Sequence, residues 1–289
     1  MDISARIEQA LEQAVALAQG PGAPPLLADA LHYSVFPSGH RIRPQLCMAV
    51  ALACGDGDPE AADAAAAAIE LLHCASLVHD DLPCFDDADI RRGKATAHIK
   101  YGEPLAVLAG DALIVLAFET LARGASRNPT RWAQLTTIVA RASGSPNGIV
   151  AGQAWESEAT ICLADYQRAK TGALFVAATM AGAAAAGFDS HPWSVLGAKL
   201  GEAYQVADDL RDVLCDAEEL GKPIGQDAAR LRPNAAAQMG VAGAKAHLEA
   251  LVRGAVESIP DCPGAEKLRG LIKAQTAQFF PKQLVRVAA

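Results

Sequence analysis

PEAADAAAAAIELLHCASLVHDDLPCFDDAD, residues 59–89, opens on alanine and other apolar residues and closes on a crowd of carboxylates. Alanine is the strongest helix former, and the apolar positions recur at spacings of three and four. The spacing predicts a helix over about 59 to 82, apolar enough to lie near the centre of a bundle. Its end carries His79-Asp80-Asp81-Leu82-Pro83-Cys84-Phe85-Asp86-Asp87-Ala88-Asp89. A second helix of the same character is predicted over about 192 to 215, and it carries Asp208-Asp209-Leu210-Arg211-Asp212.

Turn-forming clusters at 20–25, 55–59, 126–129, 143–148, 191–192, 220–225 and 259–263 cut the rest of the chain into helix-sized pieces. No run alternates with period two, and no low-complexity linker or repeat interrupts the pattern. Aromatic residues make up only 5% of the 289, while 51% are hydrophobic, enough for a large core. The reading is all-α: a single-domain helical bundle spanning 1–289. The segment 1–20 reads as an amphipathic helix rather than a signal peptide. The longest weakly polar run, 175–188, is too short to span a bilayer and reads as a core helix. No span, anchor or signal is read, so a cytoplasmic location is expected. A net charge of −8 argues against nucleic acid as a partner. Seven Cys without a C-x-x-C pair argue against a disulfide framework or a zinc finger.

The carboxylates carry the chemistry. Asp208 and Asp212 are four apart and share a helical face, where like charges destabilise a bare helix unless something cationic offsets them. Asp80 and Asp86 are six apart, off a common face of a straight helix. Pro83 disfavours further helix, so the chain is expected to bend and bring Asp86 back towards Asp80. One isolated Asp pair would read as a solvated helix end. Two patterned clusters at the ends of apolar helices read as a site for a hard cation, and Mg²⁺ takes one or two carboxylates and completes its shell with water and phosphate. Acidic clusters alone would also suit calcium storage, but basic segments surround them: Ser38-Gly39-His40-Arg41-Ile42-Arg43-Pro44, Arg91-Arg92-Gly93-Lys94, Lys170-Thr171-Gly172 and Gly221-Lys222-Pro223. Arginine grips phosphate bidentately and lysine acts as a point charge.

With these motifs in order, nearly the whole chain resembles the trans-prenyl diphosphate synthases, and is most similar to the bacterial geranylgeranyl diphosphate synthases of carotenoid-type pathways. HDDLPCFDDADIRRGKATAH looks like the family's first aspartate-rich motif, QVADDLRDVLCD with LGKPIGQD like the second, and SGHRIRP like the upstream isopentenyl diphosphate motif. The resemblance implies an isoprenoid synthase bundle with a central active-site cavity, a homodimer and three Mg²⁺ per site. Asp80, Asp86 and Asp208 would contact the metal, with Asp81, Asp209 and Asp212 ligating or supporting. Arg91, Lys170, Gln205 and Lys222 would hold the allylic diphosphate, with help from Thr171. His40, Arg41 or Arg43, His73 and Arg92 would form the isopentenyl diphosphate pocket. Arg232 stands where many relatives have another phosphate-binding Lys. His73 lies two turns before Asp80 on nearly the same face, which agrees with a place beside the reacting centre.

Two departures stand out. His40 replaces the family's usual Lys. A free imidazole titrates near ~6.5, so weaker or more pH-sensitive binding of isopentenyl diphosphate is expected. Glu156 replaces a usual Asp and keeps a carboxylate. Product length is expected to follow what blocks the growing tail: Ala75 and Ser76, both small, one turn before the first Asp, with Leu72 a deeper floor. Small residues there favour a C20 product over the C15 of a farnesyl diphosphate synthase. A terpene cyclase would need no second diphosphate pocket, and a silent partner subunit would be expected to have lost an Asp cluster.

Overall fold

The computed structural model describes residues 2–36, 39–214 and 234–279. Among them the chain is a helical bundle. Its helices are α1 (Ile3–Leu17), α2 (Pro25–Val35), α3 (Ile42–Ala53), α4 (Pro59–Asp80), α5 (Ala97–Tyr101), α6 (Glu103–Gly124), α7 (Pro129–Ser143), α8 (Ile149–Ala154), α9 (Leu163–Gln167), α10 (Ala173–Ala185), α11 (Ser194–Leu214), α12 (Ala235–Glu257) and α13 (Ala265–Thr276).

α4 begins where Asp58 accepts from the Ala61 N–H at 3.2 Å, with Pro59 in the first turn where its missing N–H costs nothing. It buries residues on every side, from Ala61 to Val78, and so lies in the core as its apolar sequence requires. α10, also apolar around most of its circumference, packs against α3, α4, α7 and α11. α6 runs antiparallel to α4, with Gly110 against the His79 ring and Gly124 against Ala64. α4 and α6 are each 22 residues long and apolar enough, by length and composition, to cross a bilayer. Both exceed the 175–188 run that the sequence reading singled out. α4 is buried in the core, whereas α6 leaves Val107, Leu108 and Val115 exposed.

Two local features depart from the expected all-helical pattern. Ile90–Arg91 and Lys94–Ala95 pair as a two-stranded antiparallel hairpin around Arg92-Gly93, both at positive φ (53° and 75°). That is the geometry of a tight two-residue hairpin turn. Strands of two residues are too short to leave a period-two signal. Arg168–Gly172 form a π-helical turn between α9 and α10. Such turns concentrate at functional sites, because the extra residue re-aims the side chains it carries. Here it carries Lys170 and Thr171. α8 crosses it at Gly152, where a Cβ would lie 2.4 Å from the Lys170 backbone, so only glycine permits the approach.

Candidate functional site

α4 ends at Asp80, two residues short of the expected end. Pro83 disfavours helix at Leu82, and the chain turns back: the Asp86 N–H donates to the Asp80 carbonyl at 2.9 Å and the Ala88 N–H to the Asp81 carbonyl at 3.1 Å. This return sets the charge of Asp86 beside Asp80. Burial pushes the Asp80 carboxyl up from its ordinary range; Lys170 pulls it down and Asp86 adds to the rise.

The two Asp of the DD pair divide their work. Asp81 turns inward and is 3% exposed. Arg91, on the hairpin, donates to it from Nε at 2.7 Å and from Nη2 at 2.6 Å, and approaches Asp80 at 3.9 Å. The second motif repeats the pattern. Asp209 is 2% exposed, accepts from Gln205 Nε2 at 2.9 Å and from the Ala235 N–H at 2.7 Å, and so ties α11 to the start of α12. Asn234 caps α12 by accepting from the Ala236 and Ala237 N–H groups at 2.8 and 3.1 Å, a cap worth about 1 kcal/mol. Asp208 and Asp212, half-buried, share the face of α11 that carries Gln205.

A line of polar contacts joins the clusters. Lys170 Nζ lies 3.4 Å from Asp80 and 2.5 Å from Glu156, and Glu156 also accepts from the Tyr166 hydroxyl at 2.6 Å. Next along the π turn, the Thr171 hydroxyl donates to Gln205 Oε1 at 2.9 Å, and Gln205 passes on to Asp209. Among the described residues no three acidic, His or Cys side chains converge on one point as a closed metal cage. The oxygen donors present would suit a hard cation such as Mg²⁺, which takes one or two carboxylates and completes its shell with water and phosphate.

A cavity of about 750 Å³ opens beside these groups. Asp80, Lys170, Thr171, Arg43 and His73 line its polar part. Leu72, Ala75 and Ser76 line it along α4. Across from them stand Ile114 and Phe118 of α6, which the sequence reading did not find. The antiparallel register puts Phe118 roughly opposite Leu72. That register is a tertiary fact, and no local signal on α6 announces it.

The upstream basic motif separates into distinct roles. His40 is exposed. Gly39 lies under the Arg92 guanidinium, where a Cβ would come within 2.4 Å of it. Arg43 reaches the cavity, lies 4.8 Å over the Phe175 ring and contacts His73 Nε2 at 3.4 Å. Its buried Nε has no hydrogen-bond partner. Burial and then the Arg43 charge hold the His73 imidazole well below its ordinary value, so it is neutral near pH 7 and accepts from Arg43. Among the described residues no carboxylate pairs with Arg43 or Arg92, whereas Arg91 is paired with Asp81 and Arg41 with Glu8 and Glu70. An orphaned buried donor and two guanidinium groups with no carboxylate partner among the described residues are what an anion would satisfy. Lys222 and Arg232 lie outside the described residues.

Residues 24–262 match the model of a family described as polyprenyl synthetase. A geranylgeranyl diphosphate synthase of Cereibacter sphaeroides is 57% identical over 284 residues, covering 98% of this chain and 99% of its own. A geranylgeranyl diphosphate synthase of Rhodobacter capsulatus is 53% identical over 289 residues, covering 100% of this chain and 98% of its own. Among solved structures, a Helicobacter pylori geranyltransferase complexed with magnesium and isoprenyl diphosphate superposes with a TM-score of 0.78 at 27% identity, over 96% of this chain and 98% of that one.

Proposed function

The chain belongs to the polyprenyl synthetase family, and from that premise we propose that it joins isopentenyl diphosphate head to tail to allylic diphosphates and makes geranylgeranyl diphosphate. What supports the two-substrate reading is the pair of basic clusters beside one cavity. One lies at Asp80, Lys170 and Arg91, where carboxylates and cations mix. The other lies at Arg43, His73 and Arg92, where among the described residues no carboxylate forms an ion pair with either guanidinium. A single-substrate cyclase needs only the first.

The allylic C–O bond breaks with its electron pair, leaving an allylic cation and a diphosphate. Mg²⁺, three ions in this proposal, would be held by the Asp clusters and would supply positive charge to the leaving diphosphate. Lys170 and Arg91 hold that diphosphate, and Lys222 is assigned to the same task. Asp80, Asp86, Asp208 and Asp212 are the proposed metal carboxylates. Asp81 and Asp209 support them by fixing Arg91, Gln205 and α12. The Thr171 hydroxyl oxygen lines the cavity beside the developing cation, with Gln205 behind it accepting from that hydroxyl, and the apolar walls keep out water that would quench the cation. The double bond of the second substrate, held by Arg43, Arg92, His40 and His73, with Arg232 assigned to the basic set, attacks the cation. The departing diphosphate then takes the proton, so no side chain is assigned as a base.

The test of the reading is Mg²⁺-dependent transfer of labelled isopentenyl diphosphate onto an allylic primer; no transfer would refute it. His40 gives a sharper check of its pocket. A lysine at this position is charged at pH 8. His40→Lys is therefore expected to lower the KM for isopentenyl diphosphate about threefold, and an unchanged KM removes His40 from the pocket. We assign the whole chain to one catalytic unit and a homodimer, with the exposed Val107, Leu108 and Val115 of α6 at the shared face. Twice the 29.9 kDa chain mass in light scattering supports this, and a monomer at assay concentration refutes it.

A further inference from the structure

Arg41 sits between two residues of the isopentenyl diphosphate pocket and yet faces away from it. Its backbone is in the left-handed region (φ 48°, ψ 35°), strained for a side chain other than glycine, and its carbonyl accepts the first hydrogen bond of α3, from the Gln45 N–H at 3.0 Å. The guanidinium is 5% exposed. It donates to Glu8 of α1 at 2.9 and 3.3 Å, to the Val35 carbonyl at the end of α2 at 3.0 Å, and to Glu70 of α4 at 2.9 Å. Glu70, 2% exposed, lies one helical turn before His73.

All three guanidinium nitrogens of Arg41, and four of its five N–H groups, are therefore spent on carboxylates and a carbonyl away from the cavity. What the contacts do is fasten the turn at residues 39–42 to three other helices. With that turn fixed, His40 faces outward and Arg43 reaches His73 with its buried Nε still unpaired.

We propose that Arg41, Glu70 and Glu8 form a positioning clamp that holds the isopentenyl diphosphate pocket in its binding geometry, and that Arg41 does not itself touch the substrate. This rests on the assignment of that pocket made above. Removing Glu70 leaves a buried guanidinium short of a counter-charge, and the turn that carries His40 and Arg43 shifts to relieve it. A carboxylate deletion at Glu70 thus weakens binding at a diphosphate pocket it never contacts. A directly binding Arg41 would behave in the opposite way, because freeing it from Glu70 makes it more available to an anion.

The experiment is two-substrate steady-state kinetics on the full-length enzyme with Glu70→Gln and Glu8→Gln, alongside thermal unfolding. In Glu70→Gln the KM for isopentenyl diphosphate is expected to rise about tenfold while the allylic KM stays within about twofold, with kcat changing less than the first KM. Glu8 is 40% exposed, so Glu8→Gln keeps the fold and is expected to give the same selective effect at about two- to threefold. An unchanged or lowered KM for isopentenyl diphosphate overturns the clamp, as does an equal rise in both KM values. A wild-type enzyme that does not consume isopentenyl diphosphate overturns the pocket assignment and the clamp together, whereas a competent wild type with insensitive variants overturns the clamp alone.

Discussion

Asp80→Asn is expected to lower kcat by roughly 10³-fold, with the fold intact. Asp80 is the point at which the site's elements meet: the end of α4, the returning Asp86 backbone, Lys170 on the π turn and Arg91 on the hairpin. Burial raises its carboxyl, Lys170 pulls it down and Asp86 adds to the rise. The amide keeps the shape and removes the charge. Activity should fall far more than stability, and the Mg²⁺ concentration for half-maximal rate should rise. Asp81→Asn tests the division of labour within the pair. It loses the charge that holds Arg91 at 2.6 Å, so its effect should appear mainly in the allylic KM, with little change in the metal requirement. Steady-state rates across a Mg²⁺ titration distinguish the two. A metal requirement that moves equally in both variants would contradict the assignment.

The second large effect is on product identity. Ala75→Tyr is expected to shift the main product from C20 to C15, because Ala75 lines the cavity one turn before Asp80 at the end of α4 and a phenol there would fill the path of the tail. Chromatographic chain-length analysis of the extended product reads the result directly. An unchanged C20 product would remove Ala75 as the ruler and leave Leu72 with Phe118, across the cavity, to set the length.

The parts of this site that sequence makes legible are those written within one element. Pro83 announces the bend that returns Asp86 to Asp80, and the four-residue spacing of Asp208 and Asp212 announces a shared face. Ala75, Ser76 and Leu72 follow from position on α4. What is not legible depends on how elements meet. SGHRIRP leaves Arg41 and Arg43 equally placed as phosphate ligands. Only the tertiary position of Glu70, 29 residues from Arg41, turns one inward to a carboxylate and leaves the other facing the cavity. Phe118 enters the cavity through the register of α6 on α4, which neither helix encodes alone. The hairpin at Ile90–Arg91 and Lys94–Ala95 is too short for a periodic signal, yet it aims Arg91 at Asp81 and Arg92 at Gly39. The π turn adds one residue to what reads as ordinary helix, and that addition brings Lys170 to Asp80 and Thr171 to Gln205.

The most direct measurement is the chain length of the product formed by the purified protein from isopentenyl diphosphate and Mg²⁺ with each of the C5, C10 and C15 allylic diphosphates. A dominant C20 product, lost on chelation of the metal and restored by its return, is the expected result. A C15 end product would contradict the geranylgeranyl assignment, and no extension of any primer would contradict the prenyltransferase reading itself.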